Sequence, residues 1–179
     1  MRIFLIGYMG CGKTNFGKYL SKKINFNYID LDSLFEKKYH ISIEKFFNDK
    51  DQNEFRKIEH QLLIDTLSYD NVVISTGGGT PCFYDNMEII KNNGVSIYIK
   101  MSTDGLFNRL INSQNKRPLL KKMTKKELKN FIKKQLKERE QYYFQADYTI
   151  DGTISKSRNE RIVNLIKHNV AQGYKQIIK

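Results

Sequence analysis

The sequence predicts a three-layer α/β/α domain built around a parallel sheet of about five strands. Short apolar runs rich in Val and Ile alternate along the 179 residues with longer amphipathic segments. Apolar strands that alternate with helices are typical of a parallel sheet covered on both faces. Ligands of such sheets bind outside the carboxyl ends of the strands, so we expect the functional residues to lie there. No internal repeat and no linker rich in Pro, Gly or Ser divides the sequence, which indicates one domain.

Five segments have the composition of strands, because apolar, β-branched and aromatic residues dominate each of them. The first, RIFLIG, leads directly into a glycine-rich segment, and the third, NVVIST, leads into a second one. In chain order the predicted strands are residues 2–7, 26–30, 71–76, 95–100 and 147–151.

The segments between these strands carry apolar residues at the three- and four-residue spacing of a helix. One of them places Phe55, Ile58 and Leu62 on a single face. The segment TKKE (124–127) is a capping-box pattern, which marks the start of another helix. The predicted helices are residues 14–23, 54–67 and 159–170, and one that begins after Thr124.

The segment GYMGCGKT (7–14) lies between the first strand and the first helix. Its glycines allow successive backbone N–H groups to turn towards an anion, and the helix N-terminus adds its own unpaired N–H groups. In this pattern Lys13 reaches the β- and γ-phosphates and the Thr14 hydroxyl binds Mg²⁺. We therefore predict a site for a nucleoside triphosphate.

Asp30 and Asp32, in the segment IDLD at the end of the second strand, are candidates for the chemistry at the γ-phosphate. Alternate residues of a strand point to the same face, so both carboxylates are expected to face the phosphates. One would hold Mg²⁺ through water, and the other would accept a proton from an attacking hydroxyl. The alternative is that Asp32 only caps the helix that begins near SLFEKK, and the residues leave both interpretations open.

Two further features are expected at the same edge of the sheet. The segment TGGGTP (76–81) follows the third strand, and its three glycines would let the backbone approach a ligand closely; the alternative is a plain turn. Arg56, Arg117 and Arg139 stand out in a chain that otherwise prefers Lys, and an arginine fork matches carboxylates and phosphates bidentately. Taken singly, each of them is more simply a surface residue.

The composition limits the possible partners and surroundings. A net charge of +12 indicates anionic partners, and residues 116–139 contain eleven Lys or Arg against two acids. This run predicts either one solvated helix face or contacts with nucleic-acid phosphates, but no aromatic-interleaved basic segment accompanies it, so no nucleic acid is expected. Two cysteines without a pairing pattern and no apolar segment of membrane-spanning length predict a soluble cytoplasmic protein with no membrane partner.

Taken together, GYMGCGKT, IDLD, FRKIE, GGG, RPLL and an Arg-led Tyr/Ala/Asp segment occur in the order found in shikimate kinases. The chain resembles that family from about residue 2 to 165. The resemblance implies one P-loop kinase domain of the nucleoside monophosphate kinase type over 1–179, with a substrate-binding helical region at about 32–60 and a mobile lid at about 112–124. It also implies a monomer that uses ATP and Mg²⁺ to convert shikimate to shikimate 3-phosphate in chorismate and aromatic amino-acid biosynthesis.

The resemblance further implies roles for individual residues. Asp32, Lys13 and Arg117 would be catalytic, with Asp32 as the base. Thr14 and, through water, Asp30 would hold the metal. The ATP-binding residues would be Gly10, Cys11, Gly12, Lys13, Thr14 and Asn15, with Arg109 on the adenine and Arg117 reaching over the phosphates from the lid.

The shikimate side of the site follows from the same resemblance. Arg56 and Arg139 would grip the substrate carboxylate, and Asp32 would contact its hydroxyls. Gly77, Gly78 and Gly79 would run along the substrate, and the pocket would be lined or braced by Phe47, Phe55 and Glu59.

The sequence departs from the family pattern in two places. Asp51 and Gln52 stand where the family has Gly-Glu ahead of FR. The segment that follows Arg139 has no proline and is one residue short before Ala146, so Tyr142 and Tyr143 both remain candidates for the family tyrosine. The alternatives to a shikimate kinase are another small-molecule P-loop kinase, such as a gluconate or nucleoside monophosphate kinase, and a nucleic-acid-binding NTPase that uses its Lys-rich helix.

Overall fold

A five-stranded parallel sheet lies at the centre of the computed structural model, which describes residues 1–111, 120, 123–153 and 156–171. The strand order is β2-β3-β1-β4-β5, and every pair of neighbours is parallel. All five predicted strands are confirmed, with ends that shift by at most one residue. The strands are β1 (Arg2–Ile6), β2 (Asn27–Asp30), β3 (Val72–Ser75), β4 (Val95–Lys100) and β5 (Tyr148–Asp151).

Helices flank this sheet and complete the predicted three-layer arrangement. Helix α1 packs against β2 and β3, α5 against β4, and α6 against α7. The described residues form eight α-helices. They are α1 (Lys13–Ile24), α2 (Leu31–Tyr39), α3 (Ile43–Asp49), α4 (Gln52–Asp65), α5 (Asn86–Asn93), α6 (Thr103–Ile111), α7 (Lys125–Tyr143) and α8 (Lys156–Ala171).

The four predicted helices are present, but three of them differ at their ends, α1 by only one residue at each end. The segment predicted as one helix over 54–67 begins at Gln52, ends at Asp65 and continues as a short 3₁₀ turn, Thr66–Ser68. Helix α8 begins three residues earlier than predicted, at Lys156. Helices α2 and α3 were not predicted individually and lie in the region expected to be helical, at about 32–60. The sequence analysis missed α5 and α6, because segments of eight and nine residues give too few turns for a helical period to stand out.

The parallel sheet brings the carboxyl ends of all five strands to one edge. Asp30 at the end of β2 lies in register with Ser75 at the end of β3, and Leu5 of β1 lies opposite Ser75 on its other side. Residues 3–6 of β1 are completely buried, so polar groups can follow this strand but cannot lie within it. The predicted functional segments therefore converge beyond this edge.

Of the expected lid, residues 112–119, 121 and 122, and with them Arg117, lie outside the described residues. Among the helices that the structure describes, none is both long and apolar enough to cross a membrane.

The predicted capping box at the start of α7 is confirmed. The Thr124 hydroxyl oxygen accepts a hydrogen bond from the Glu127 backbone N–H at 3.3 Å, and the Glu127 carboxylate accepts one from the Thr124 backbone N–H at 2.7 Å. These hydrogen bonds from Thr124 lower the pKa of Glu127 below its usual value. The box therefore satisfies two backbone donors that the helix itself leaves unpaired.

We expect Thr124→Ala to lower the free energy of unfolding by about 1 kcal/mol at pH 7, because it removes one of these caps. Since the pKa of Glu127 is lower in the folded protein, the contribution of the box is present at neutral pH and is lost as the pH falls and Glu127 becomes protonated. Urea denaturation at neutral and acidic pH measures both effects, with Thr124→Ser as the control that keeps the hydroxyl. Equal stability of Thr124→Ala and wild type at pH 7 would contradict the prediction.

Candidate active site

The glycine-rich segment forms a loop that joins β1 to α1. Gly12 is the N-cap of α1, has a φ of +107° and makes no side-chain cap, so the first backbone N–H groups of the helix are left for another acceptor. Gly7 has a φ of +138°, and a Cβ atom there would lie 2.7 Å from the carbonyl oxygen of Ile99. The loop can therefore adopt this shape only with glycine at these positions, which supports the predicted phosphate-binding loop.

Lys13 lies over this loop and is buried. Its Nζ donates hydrogen bonds to the carbonyl oxygens of Gly7 at 2.7 Å and Tyr8 at 3.1 Å. Cys11 is also buried, and its Sγ lies 3.8 Å from the same Nζ. The side chain of Cys11 thus packs inside the loop, while Lys13 places a positive charge beside it.

The two aspartates of IDLD lie on different secondary-structure elements from those that the sequence predicted. Strand β2 ends at Asp30, so Asp32 does not alternate with it on a strand but lies in the first turn of α2. The helix cap is Asp30, whose carboxylate accepts a hydrogen bond from the Ser33 backbone N–H at 3.3 Å. The interpretation of Asp32 as the N-cap was therefore wrong. Although the two residues do not alternate on a strand, both line the same cavity.

Asp30 also links the loop to the sheet. Its Oδ2 accepts hydrogen bonds from the Thr14 hydroxyl at 2.9 Å and the Tyr28 hydroxyl at 3.0 Å. Burial, followed by the neighbouring Asp30 carboxylate, raises the pKa of Tyr28 to about 12. Tyr28 is therefore a neutral hydrogen-bond donor at physiological pH.

Thr14 and Asp30 fit the ligand chemistry of Mg²⁺. This ion prefers hard oxygen ligands and usually combines one or two protein groups with substrate phosphates and water. Because the Thr14 hydroxyl gives its proton to Asp30, the lone pairs of its oxygen remain for a cation. Among the described residues there is no cluster of three or more His, Cys, Asp or Glu that could hold a metal by itself.

A cavity of about 720 Å³ opens at this edge of the sheet. Its wall includes residues 9–15 of the loop and α1, both aspartates of IDLD, Arg109 and Gly78. The Arg109 guanidinium donates to the carbonyl oxygens of Gly10 (3.3 Å), Cys11 (3.0 Å) and Gly152 (3.0 Å). It thus ties the phosphate-binding loop to the turn that follows β5. The ATP-binding residues predicted within the described chain, Asn15 included, all line this one cavity.

The triple-glycine turn after β3 is in contact with three of the predicted substrate-binding side chains. A Cβ atom on Gly77 would lie 3.2 Å from Asp32 Oδ1, and one on Gly78 would lie 3.7 Å from a terminal nitrogen of Arg139. A Cβ atom on Gly79 would lie 2.7 Å from both terminal nitrogens of Arg56. The absence of a side chain at Gly79 therefore leaves room for the Arg56 guanidinium. The tightest neighbours at the other two positions are the Glu59 carboxylate at Gly77 and the Met9 backbone at Gly78, so the segment is more closely packed than a plain turn.

Arg56, on α4, is held from several sides. Its Nη1 donates to the Glu59 carboxylate at 2.5 Å, and its guanidinium stacks over the Phe83 ring at 4.3 Å and the Phe55 ring at 5.2 Å. Glu59 is itself fixed by a 2.6 Å hydrogen bond from the Thr80 hydroxyl. Within the described residues the buried Nε of Arg56 has no hydrogen-bond partner. The arginine is thus oriented by its neighbours and retains donor capacity for a ligand.

Arg139 and Tyr143 lie one helical turn apart on α7 and meet the same glycine. The Tyr143 hydroxyl donates to the Gly78 carbonyl oxygen at 2.5 Å, and the Arg139 guanidinium lies 5.4 Å from the centre of the Tyr8 ring. Burial raises the pKa of Tyr143 well above its usual value, against the opposing effect of Arg139. Of the two candidate tyrosines, Tyr143 is completely buried beside Arg139, whereas Tyr142 is half-buried.

The structure separates the predicted residues into two adjoining groups. The nucleotide group and both aspartates line the cavity, whereas Arg56, Arg139, Gly77 and Gly79 lie next to it, behind Gly78. Of the bracing residues, Phe47 packs on Phe55 with ring centres 4.7 Å apart. Sequence reasoning missed three side chains that hold the charged groups, although two of them stand within or just after a quoted motif. They are Tyr8, Tyr28 and Phe83, whereas Tyr143 was one of the two candidate tyrosines.

Comparisons with known proteins agree on one family. The family model described as shikimate kinase matches residues 9–171. A shikimate kinase of Parabacteroides distasonis is 41% identical over 151 residues, which cover 84% of this chain and 87% of the relative. The crystal structure of shikimate kinase from Bacteroides thetaiotaomicron superimposes with a TM-score of 0.87 at 37% identity, covering 96% of this chain and 98% of that one.

Structures with lower sequence identity show which similarities belong to the family and which belong only to the fold. A shikimate kinase from Acinetobacter baumannii in complex with shikimate has a TM-score of 0.83 at 26% identity and covers 98% of this chain and 95% of its own. A gluconokinase from Sinorhizobium meliloti has a TM-score of 0.63 at 12% identity over 96% and 94% of the two chains, which shows the fold alone. The chain therefore belongs to the shikimate kinase family of phosphotransferases.

Proposed function

We propose that this enzyme transfers the γ-phosphoryl group of ATP to the 3-hydroxyl of shikimate and so forms shikimate 3-phosphate for aromatic amino-acid biosynthesis. The observation that carries the proposal is the triple-glycine turn, which has Asp32 at one end, two arginines at the other and the phosphate-binding loop beside it. Shikimate combines a carboxylate with ring hydroxyls, and this turn offers groups for both. We further propose that the enzyme acts as a cytoplasmic monomer without a nucleic-acid partner.

The carboxylate of shikimate would be bound by Arg56 and Arg139. Two guanidinium groups close to one turn repel each other, and Glu59 offsets one of the charges through its ion pair with Arg56. A substrate carboxylate would neutralise the remaining charge and accept hydrogen bonds from both forks. The ring would then lie along Gly77 and Gly78, with its hydroxyls directed towards Asp32.

Phosphoryl transfer requires positioning and charge neutralisation more than covalent help from the protein. The loop N–H groups and Lys13 would hold the phosphates, and Arg117 would reach over them. Thr14 and Asp30, the latter through water, would hold Mg²⁺, which when bound neutralises charge on the β- and γ-phosphate oxygens. The 3-hydroxyl oxygen attacks the γ-phosphorus, the bond to the ADP oxygen breaks, and Asp32 accepts the hydroxyl proton. Arg109 would pack on the adenine with its planar guanidinium while it holds the loop.

The Lys-rich part of α7 is consistent with a solvated helix face. Lys125, Lys126, Lys133 and Lys137 are exposed, and Lys129 forms an ion pair with Asp104 at 2.6 Å. No aromatic side chains accompany these lysines in the pattern typical of nucleic-acid-binding domains. We therefore propose that the anions bound by this basic protein are its substrates and not nucleic acid.

The first test is an ADP-release assay with ATP and Mg²⁺ and four separate acceptors: shikimate, gluconate, CMP and AMP. We expect turnover with shikimate alone, because only shikimate presents both a carboxylate for the arginines and a hydroxyl for Asp32 on one rigid ring. Mass spectrometry of the product identifies the phosphorylated acceptor. Turnover with another acceptor in place of shikimate would overturn the substrate assignment and leave the phosphate-binding loop intact.

We expect Arg56→Lys to raise the KM for shikimate by about 30-fold or more with little change in the KM for ATP, because a point charge cannot reproduce the guanidinium fork. Repeating the measurement with shikimate methyl ester tests the cause. The ester already lacks the carboxylate, so Arg56→Lys should weaken its use far less than it weakens that of shikimate. Lys57→Ala, at the exposed neighbouring position on α4, is the control. An equal effect of Arg56→Lys on both substrates would exclude a carboxylate contact.

We expect Asp32→Asn to lower kcat by about 10²- to 10⁴-fold, because the amide keeps the shape of the side chain but cannot accept the hydroxyl proton. The dissociation constant of ADP, measured by calorimetry, should stay unchanged, since Asp32 is assigned to the acceptor. Asp104→Asn, which neutralises an exposed carboxylate on α6, serves as the control. A wild-type kcat in Asp32→Asn would show that Asp32 does not act as the base.

A further inference from the structure

We infer that Tyr28 is a positioning residue of the metal site, whose hydroxyl fixes the Asp30 carboxylate in the orientation that Mg²⁺ binding requires. This inference rests on the proposed function, in which Thr14 and Asp30 hold Mg²⁺ beside the phosphates. Tyr28 does not line the cavity, so its effect would pass through the residues that its hydroxyl contacts, of which Asp30 is the one that accepts its proton.

The Tyr28 hydroxyl is part of a chain of hydrogen bonds across two strands. It lies 3.0 Å from Asp30 Oδ2 and 3.0 Å from the hydroxyl oxygen of Ser75. A carboxylate oxygen can only accept, so the single proton of the tyrosine goes to Asp30, and the proton of Ser75 is directed to the tyrosine. Ser75 is buried and lies in register with Asp30, so β3 sets the distance between these groups.

Both oxygens of Asp30 are thereby occupied by donors from three different elements. Oδ1 receives the Ser33 backbone N–H of α2, and Oδ2 receives the hydroxyls of Thr14 on α1 and Tyr28 on β2. Ser33 and Thr14 alone would leave the carboxylate attached to one helix end and one surface-exposed hydroxyl. The tyrosine adds a donor that is anchored in the sheet, which restricts rotation of the carboxylate.

Helix α1 contains a gap that accommodates this tyrosine. A Cβ atom on Gly17 would lie 2.5 Å from Cε2 of Tyr28 and 2.9 Å from the Ser75 hydroxyl oxygen. Glycine weakens the interior of a helix, yet Gly17 lies five positions into α1 and is buried. The absence of a side chain at Gly17 lets the Tyr28 ring pass the helix, so that its hydroxyl reaches both Ser75 and Asp30.

The test measures how much Mg²⁺ tightens the binding of ADP. Calorimetry on the full chain gives the dissociation constant of ADP with saturating Mg²⁺ and with EDTA, and the ratio of the two constants reports the metal site separately from turnover. We expect Tyr28→Phe to leave ADP binding in EDTA unchanged and to reduce the ratio by about 10-fold, as is typical when the partner of a metal-binding residue is removed. The Mg²⁺ concentration that gives half-maximal kinase activity should rise in parallel.

Tyr98→Phe is a matched control, because it also removes the hydroxyl of a buried tyrosine on a strand. The Tyr98 hydroxyl lies 3.4 Å from the carboxylate of Glu140, and Tyr98 is not part of the cavity wall. It should leave the Mg²⁺ ratio unchanged even if the melting temperature falls. Ser75→Ala removes the second partner of Tyr28 and should reduce the ratio in the same direction but to a smaller extent. It also tests the inference if Tyr28→Phe folds poorly.

A wild-type Mg²⁺ ratio in Tyr28→Phe would overturn the inference, whatever the change in stability. A wild-type enzyme whose ADP binding does not respond to Mg²⁺ would overturn both this inference and the proposed metal site. A reduced ratio in Tyr28→Phe together with no phosphorylation of shikimate by the wild type would support the role of Tyr28 and refute only the acceptor.

Discussion

The charged groups of this enzyme can come together only because the parallel sheet ends all its strands at one edge. Strand β1 lies between β3 and β4, and residues 3–6 are completely buried, so no ionised side chain is compatible with its interior. Charged side chains lie instead where the strands end: in the loop after Ile6, at Asp30 and beside the turn after Ser75. The register of Asp30 with Ser75 then fixes the separation between the residues proposed to hold the metal and the turn proposed to bind the acceptor.

Electrostatic balance explains why the arginines of the acceptor side need so many neighbours. Arg56 is only 11% exposed and forms a pair with Glu59, which is 5% exposed, and a buried ion pair loses its hydration when the protein folds. Thr80 and the aromatic rings of Phe55 and Phe83 replace part of that hydration. The same contacts fix the direction of the guanidinium before substrate arrives, which lowers the entropic cost of binding a rigid anion.

The parts of the structure that the sequence could predict are those governed by local chemistry. The strands and the phosphate-binding loop follow from composition and glycine spacing within a few residues, and the capping box follows from Thr124 and Glu127 alone. The supports of the site depend instead on contacts between distant segments, such as that of Tyr143 with Gly78, 65 positions apart, and that of Tyr28 with Ser75, 47 positions apart. The helix cap was assigned to Asp32 instead of Asp30 because the sequence does not show that α2 begins at Leu31, directly after the strand.

In the proposed nucleotide site, the residues assigned to the metal and the residue assigned to the phosphates differ in how far they are positioned before a ligand binds. Thr14 and Asp30 already share a hydrogen bond, and a cation between Thr14 and a phosphate would leave that bond in place. Lys13 instead directs its ammonium group to the loop carbonyls of Gly7 and Tyr8 and to the sulfur of Cys11. An ammonium group has three donors, so contact with a phosphate requires Lys13 to exchange at least one of these partners. Nucleotide binding should therefore move Lys13 and leave the carboxylate of Asp30 where it is.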